Sequence, residues 1–391
     1  MAKPARIEAD MAKKLRVGIL FGGRSGEHEV SLLSAASILK ALDRTKFEVV
    51  PIGITKTGRW LTDNNAKALL EGAALEALPE SAALPSDAVT AMVPDAASLS
   101  SAGGSGRLDL VFPVLHGTFG EDGTIQGLFE LADIPYVGSG VLGSSAGMDK
   151  DVMKRLFSAA RLPIVKHVSV LRSEWEKSPR KVVARIESAL KYPLFVKPAN
   201  LGSSVGISKA HDRTELGPAL SLASRFDRKL VIEQGVGGAK KKARELEVAV
   251  LGNDDPKASV VGEIIPGKEF YDYEAKYLSD GSVPVIPAKL TAAESTQIRA
   301  MAVEAFRACD LSGLARVDFL MEPDGKRRIY LNEVNTLPGF TSISMYPKLW
   351  EATGLGYSDL ITTLIELALE RHSERSRTSF SFDVEDASSV S

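Results

Sequence analysis

Apolar and polar positions alternate through Leu314 to Leu320, and again through Ile329 to Asn335. A period of two predicts a strand in each run, and the turn-forming Glu322-Pro-Asp-Gly-Lys326 between them predicts a hairpin. If its loop holds an even number of residues, Arg316, Asp318, Glu333 and Asn335 share one face; an odd loop or a bulge breaks that arrangement. Three oxygen ligands beside a guanidinium suit a hard cation such as Mg²⁺, with phosphate as the remaining partner. The same pattern would also serve as an exposed face carrying surface salt bridges.

Upstream, apolar runs at Leu15 to Phe21, Phe47 to Ile54 and Leu108 to Leu115 predict strands, and Glu29 to Leu42 has helical spacing. Strand–helix alternation implies a parallel sheet with helices on both faces, in an α/β unit spanning 15–148. Residues 1–14 read as a polar extension. The Ala-rich stretch 64–106 reads as an insertion, partly mobile. A central unit is expected over 149–210. A C-terminal unit is expected over 211–372, with a helix from Thr291 to Cys309 and a closing helix from Gly356 to Leu369. The Ser-rich acidic tail 373–391 is expected to be disordered.

The 391 residues carry a formal net charge of -2, so no global field favours nucleic acid or a membrane surface. Cys309 is the only cysteine. No disulfide within the chain is possible, which fits a reducing cytoplasm, and Cys309 reads as a packing residue. No apolar run is long enough to span a bilayer.

Several loops carry candidate chemistry. FVKPANLGSSVG (195–206) sets Lys197 at a strand end before a small-residue loop, either a phosphate cradle or an ordinary Gly/Ser turn. It is not a Walker A loop, because the lysine precedes the glycines. GGRSGEHEVS (22–31) joins a strand to a helix; Glu27 suits a cationic amine, and Glu27 and Glu29 equally suit a first helical turn. HGTFGEDG (116–123) follows the third strand and reaches the same sheet edge, where open α/β sheets bind ligands. The aromatic and charged residues from 268 to 280 read as a water-excluding lid or a packed surface loop. NTLPGFTSIS (335–344) offers a backbone donor at Gly339 and a helix start at Ser344.

In this order these blocks, with Met148-Asp-Lys150, YDYEAKYLSD (271–280) and ARVDF (315–319), resemble the D-alanine–D-alanine ligase family of the ATP-grasp superfamily over about residues 15 to 370. The resemblance implies a three-domain ATP-grasp architecture of mixed α/β class and a cytoplasmic homodimer. It implies ATP and Mg²⁺, with two ions in the site and Mn²⁺ as a substitute. Lys150 and Lys197 then match phosphate-holding lysines, with Ser203 and Ser204 in the adjoining loop. Glu233, Val236 and Glu245 match the adenine and ribose side, and Asp318, Glu333 and Asn335 the metal ligands. Glu27 matches the group gripping the first amino acid's ammonium, with His116 nearby. Ser203 and Tyr277 match a hydrogen-bonded pair organising that substrate and the lid, and Lys276 a lid lysine. Arg316 and the Gly339 N–H match oxyanion donors, and Ser344 the group receiving the second carboxylate. The implied reaction joins two D-alanines through an acyl phosphate for peptidoglycan precursors. Alternatives are a D-alanine–D-lactate ligase, a non-catalytic nucleotide sensor and a kinase releasing acyl phosphate. Tyr277 favours the dipeptide.

Overall fold

Strand β1 (Leu15–Gly22) is covered on both sides, which explains why its sequence is a continuous apolar run rather than an alternating one. In the computed structural model, which describes residues 14–72, 108–202, 205–237, 242–265, 283–323 and 327–379, β1 pairs in parallel with β2 (Phe47–Ile54) and β4 (Leu110–Pro113). A short antiparallel strand, β3 (Trp60–Thr62), completes the order β3-β2-β1-β4. Val17, Ile19 and Phe21 face a cluster with Ala35 and Ile38 of helix α1 (His28–Ala41). Leu20 points the other way, toward Ile125 and Phe129 of α3 (Thr124–Leu131). α2 (Asp63–Leu70) opens the expected insertion; 73–107 lie outside the described residues, as does 1–13.

The second sheet is antiparallel and ordered β5-β8-β6-β7, from His167–Leu171, Lys229–Gln234, Leu194–Pro198 and Ser208–Ala210. β8 pairs with both β5 and β6, so the expected unit boundary at 210 cuts through this sheet. The sheet itself extends to Gln234, where β8 ends after pairing with the facing edges of β5 and β6.

The third sheet, also antiparallel, is ordered β11-β10-β9-β12-β13, from Val283–Val285, Lys257–Ile265, Arg244–Gly252, Gly313–Met321 and Ile329–Asn335. One face packs against Ala292–Ala308 and against Met153 and Phe157 of Lys150–Ala159. The first of these helices begins at a capping box made by Thr291 and Glu294 and ends at Cys309, which is buried.

The closing helix, Tyr357–Ser376, outruns the expected end at Leu369 and extends past the expected start of the tail. Its last turns are anchored on the first unit. Arg371 lies 4.2 Å over the Tyr136 ring, His372 is 3.0 Å from Asp133, and Arg375 pairs with Glu130. Residues 380–391 lie outside the described residues.

Candidate active site

The acidic face rests on two departures from the simplest hairpin that offset each other. Arg316 pairs with Asn335 and Asp318 with Glu333, but from Phe319 onward the partner shifts by one, to Leu331. The extra residue is Asn332, a β-bulge. The hairpin loop is itself odd, since Glu322 N–H donates to the Arg328 carbonyl (2.9 Å) around five residues, 323–327. Odd loop and bulge cancel, and the four side chains share the less buried face. Arg316 grips both Asp318 oxygens through Nε (2.8 Å) and Nη2 (2.7 Å) and lies 3.2 Å from Glu247. Asn335 Nδ2 donates to Asp318 Oδ2 at 3.0 Å.

This donor set fits a hard divalent cation shared with phosphate. Asp318 and Glu333 oppose each other directly across neighbouring strands; Asp318 Oδ1, bonded to Arg316 Nε, keeps a second lone pair, while Oδ2 already accepts from Arg316 Nη2 and Asn335 Nδ2. A half-turn of the Asn335 amide presents Oδ1 instead of Nδ2. Among the described residues no three His, Cys, Asp or Glu side chains form a metal-binding group, so the set needs the amide and oxygens from outside the protein.

Beside this face lies a buried charge cluster. Lys150 Nζ is 3.7 Å from Glu333 and donates to the Leu201 carbonyl at 2.9 Å. Lys197 Nζ is 2.7 Å from Glu233 Oε2, and Lys154 Nζ is 2.9 Å from Glu233 Oε1. Burial pushes the Glu233 carboxyl up, but the two lysines outweigh it and hold it at about 2. Burial pulls Lys197 down, and Glu233 and Glu333 more than reverse this. The Glu233 carboxylate is therefore engaged by ammonium groups. Val236 follows in the turn after β8, and Glu245, at the start of β9, is within electrostatic reach of Lys197.

The third group comes from the parallel sheet's C-terminal edge. Glu27 occupies the N-cap position of α1 without capping it by its side chain. Its carboxylate lies close against two glycine loops: a Cβ on Gly117 would fall 2.7 Å from Oε2 and one on Gly202 3.0 Å, and Gly117, with φ +74°, holds a backbone conformation that favours glycine. Glu29, by contrast, pairs with Lys56 at the surface. His116 Nδ1 is 2.9 Å from the Leu337 carbonyl, and burial lowers its pKa while Glu27 opposes that. Glu121 accepts from the Gly117 N–H (2.6 Å) and the Leu337 N–H (3.1 Å). Its side chain keeps some surface, yet both oxygens point inward; burial and the Glu27 charge push it up to about 8, against the pull of these amides and Arg316.

The loop after β13 joins these groups. The Phe340 N–H donates to Ser34 Oγ (3.3 Å) and the Ser342 N–H to Ser37 Oγ (3.1 Å), both on α1, so the helix that carries Glu27 also holds the Gly339 loop. A Cβ at Gly339 would stand 3.3 Å from Ser344 Oγ. Ser344 is the N-cap of Met345–Thr353, but its hydroxyl meets Thr341 (2.8 Å) rather than capping that helix.

Thus Glu27, His116, Arg316, Asp318, Glu333, Asn335, Gly339, Ser344, Lys150, Lys197, Glu233, Val236 and Glu245 sit on elements meeting at one place. Ser203, Ser204, Lys276, Tyr277 and the 268–280 segment lie outside the described residues. The sequence reading missed Lys154, Glu121 and Glu247. Lys154 follows Lys150 by one helical turn, and Glu121 lies inside a motif already singled out; those were the available signals.

Comparison with known proteins agrees with this geometry. The model of the D-ala D-ala ligase N-terminus matches residues 16–139, and that of the C-terminus residues 156–366. A D-alanine–D-alanine ligase of Natranaerobius thermophilus is 52% identical over 375 residues, covering 95% of this chain and 99% of that protein. One of Bacillus cytotoxicus is 49% identical over 369 residues, covering 94% and 99%. The crystal structure of VanG D-Ala:D-Ser ligase from Enterococcus faecalis superposes with a TM-score of 0.77 at 36% identity, over 91% of this chain and 100% of that one. The D-alanine-D-alanine ligase from Coxiella burnetii gives 0.74 at 35%, over 94% and 97%. The chain belongs to the D-alanine–D-alanine ligase family, whose members are ATP-dependent and share the ATP-grasp fold.

Proposed function

We propose that this protein joins two D-alanine molecules, consuming ATP, to give D-alanyl-D-alanine for peptidoglycan precursors. The observation that carries the reading is the juxtaposition of an acidic strand pair with phosphate-side lysines: Glu333 opposes Asp318 and lies 3.7 Å from Lys150. A carboxylate pair next to ammonium groups suits a polyphosphate bound with a divalent cation.

The first D-alanine binds with its ammonium on Glu27, beside His116. Its carboxylate oxygen attacks the γ-phosphorus of ATP; the bond to the bridging oxygen breaks, and ADP leaves from an acyl phosphate. Lys150 and Lys197 offset the phosphate charge, with Ser203, Ser204 and Lys276 as further phosphate-side contacts. Val236, Glu245 and the backbone at Glu233 flank the base and ribose. Asp318, Glu333 and Asn335 would hold one or two Mg²⁺ ions, or Mn²⁺ in their place, and a metal there would supply charge neutralisation at the phosphate oxygens. The second D-alanine, its carboxylate at Ser344, loses an ammonium proton to solvent, and the freed amine nitrogen attacks the acyl carbon. Arg316 and the Gly339 N–H stabilise the tetrahedral oxyanion. The C–O bond to phosphate then breaks and the dipeptide remains. Ser203 and Tyr277 organise the first substrate, and closure over 268–280 keeps water from the acyl phosphate. The protein acts as a homodimer.

The test is coupled ADP release with D-alanine, L-alanine, D-serine and D-lactate, singly and in pairs. D-Alanine alone should support turnover and L-alanine should not. Faster turnover with D-alanine plus D-serine or D-lactate would redirect the acceptor assignment. ADP release without dipeptide would reduce the protein to a kinase.

A further inference from the structure

Lys154 has no part in the reading above, yet among the described residues it is the one lysine whose side chain is fully buried, at 0% exposure. It lies on Lys150–Ala159, one turn after Lys150, and so on the same helical face. Its Nζ reaches Glu233 Oε1 at 2.9 Å and the carbonyl of Asn332, the bulge residue that sets the register of Glu333, at 3.3 Å. The opposite oxygen of Glu233 is 2.7 Å from Lys197. Glu233 thus stands between an inner lysine sealed from solvent and an outer one at the site.

The charge count decides what this does. A Lys197–Glu233 pair alone is neutral and would present no net charge to an anion. With Lys154 on its far oxygen, Glu233 is already balanced from behind, and the triad carries one positive charge on the Lys197 side, where Glu333 and Glu245 are the remaining carboxylates. Burying a second ammonium is costly, so the arrangement is not explained as a stabilising device. We propose that Lys154 is a positioning residue which neutralises Glu233 from the protein interior, so that Glu233 does not cancel the charge that Lys197 offers the nucleotide's outer phosphates.

This rests on the ATP reading, and the test separates the two. Binding of ATP and of AMP is measured by calorimetry on the purified protein without divalent cation. AMP lacks the outer phosphates and reports on the base and ribose side. Lys154→Met should weaken ATP by at least about tenfold, the scale of one charge-assisted hydrogen bond, and leave AMP within about twofold. Lys154→Met combined with Glu233→Gln removes both buried charges, frees Lys197 and should recover most of the lost ATP affinity. Equal weakening of ATP and AMP in Lys154→Met would mean a packing role and overturn the proposal. So would a double variant no better than the single one, or a double variant that loses AMP. If Lys154→Met alone does not fold, the double variant, whose buried pair is uncharged, is read by itself: ATP affinity near that of the parent supports the proposal, and a tenfold loss with AMP intact overturns it. Failure of the parent protein to bind either nucleotide would instead remove the ATP reading.

Discussion

Two charged regions meet at the site and are built on opposite principles. The hairpin face of Arg316, Asp318, Glu333 and Asn335 is partly open, and its charges sit on a strand pair whose other face is apolar. The cluster of Lys154, Lys197 and Glu233 is closed in, and each member depends on the others for its charged state. Partly exposed charges of the first kind contribute little to folding, whereas leaving a member of the second kind unpaired destabilises the fold.

Substitutions can break this contrast. Asp318→Ala or Glu333→Ala should abolish Mg²⁺-dependent ATP cleavage while the circular dichroism spectrum and melting temperature stay near those of the parent; full turnover in either variant would remove the metal assignment. Glu233→Gln leaves buried ammonium groups without their counter-charge, and should cost about 3 kcal/mol or more in denaturant unfolding. A loss of turnover at unchanged stability would place Glu233 with the open group instead. Arg316→Met should lower kcat about a hundred- to a thousandfold with little change in KM for ATP, as expected for an oxyanion donor. Glu27→Gln should raise the KM for the first D-alanine about ten- to a hundredfold, the range for a charge-assisted hydrogen bond, and leave ATP binding unchanged. The last concerns the pH dependence set by Glu121. Its folded-state pKa of about 8 lies above its ordinary value of 4.5, so the folded chain holds a proton that the unfolded chain sheds. Stability should then fall as pH rises from about 4.5 to about 8 and level off beyond. Glu121→Gln should flatten that slope in thermal melts, and an unaltered slope would assign it to other groups.

The same contrast explains what was legible in the sequence. Alternation in β12 and β13 marks the open face because a half-exposed strand must alternate. The continuous apolar run of Leu15 to Phe21 marks a strand covered on both sides. The Asn332 bulge leaves no such mark, and the expected face was recovered only because the loop is odd as well. Lys154 is invisible for a different reason: a lysine in a helical segment reads as solvated until Glu233, 79 positions later, is folded against it. The end of the last helix was misread in the same way. Its charged turn from Arg371 to Arg375 looks like the start of a solvated tail, but its partners are Tyr136, Asp133 and Glu130, far away in the chain.

That anchored helix bears on how the molecule opens. It ties the parallel sheet to the five-stranded one, and the apolar cluster it joins runs from Val17 through Leu251 to Ala368. The cluster around β5 to β8, from Val170 to Ile232, stays within its own unit. Glu27, Gly339 and Ser344 therefore belong to one body, and Lys197 to another whose seam with it includes the polar links of Lys150 to Leu201 and Lys154 to Glu233. A displacement of that second body would break these polar links and leave the relative positions of Glu27, Gly339 and Ser344 unchanged.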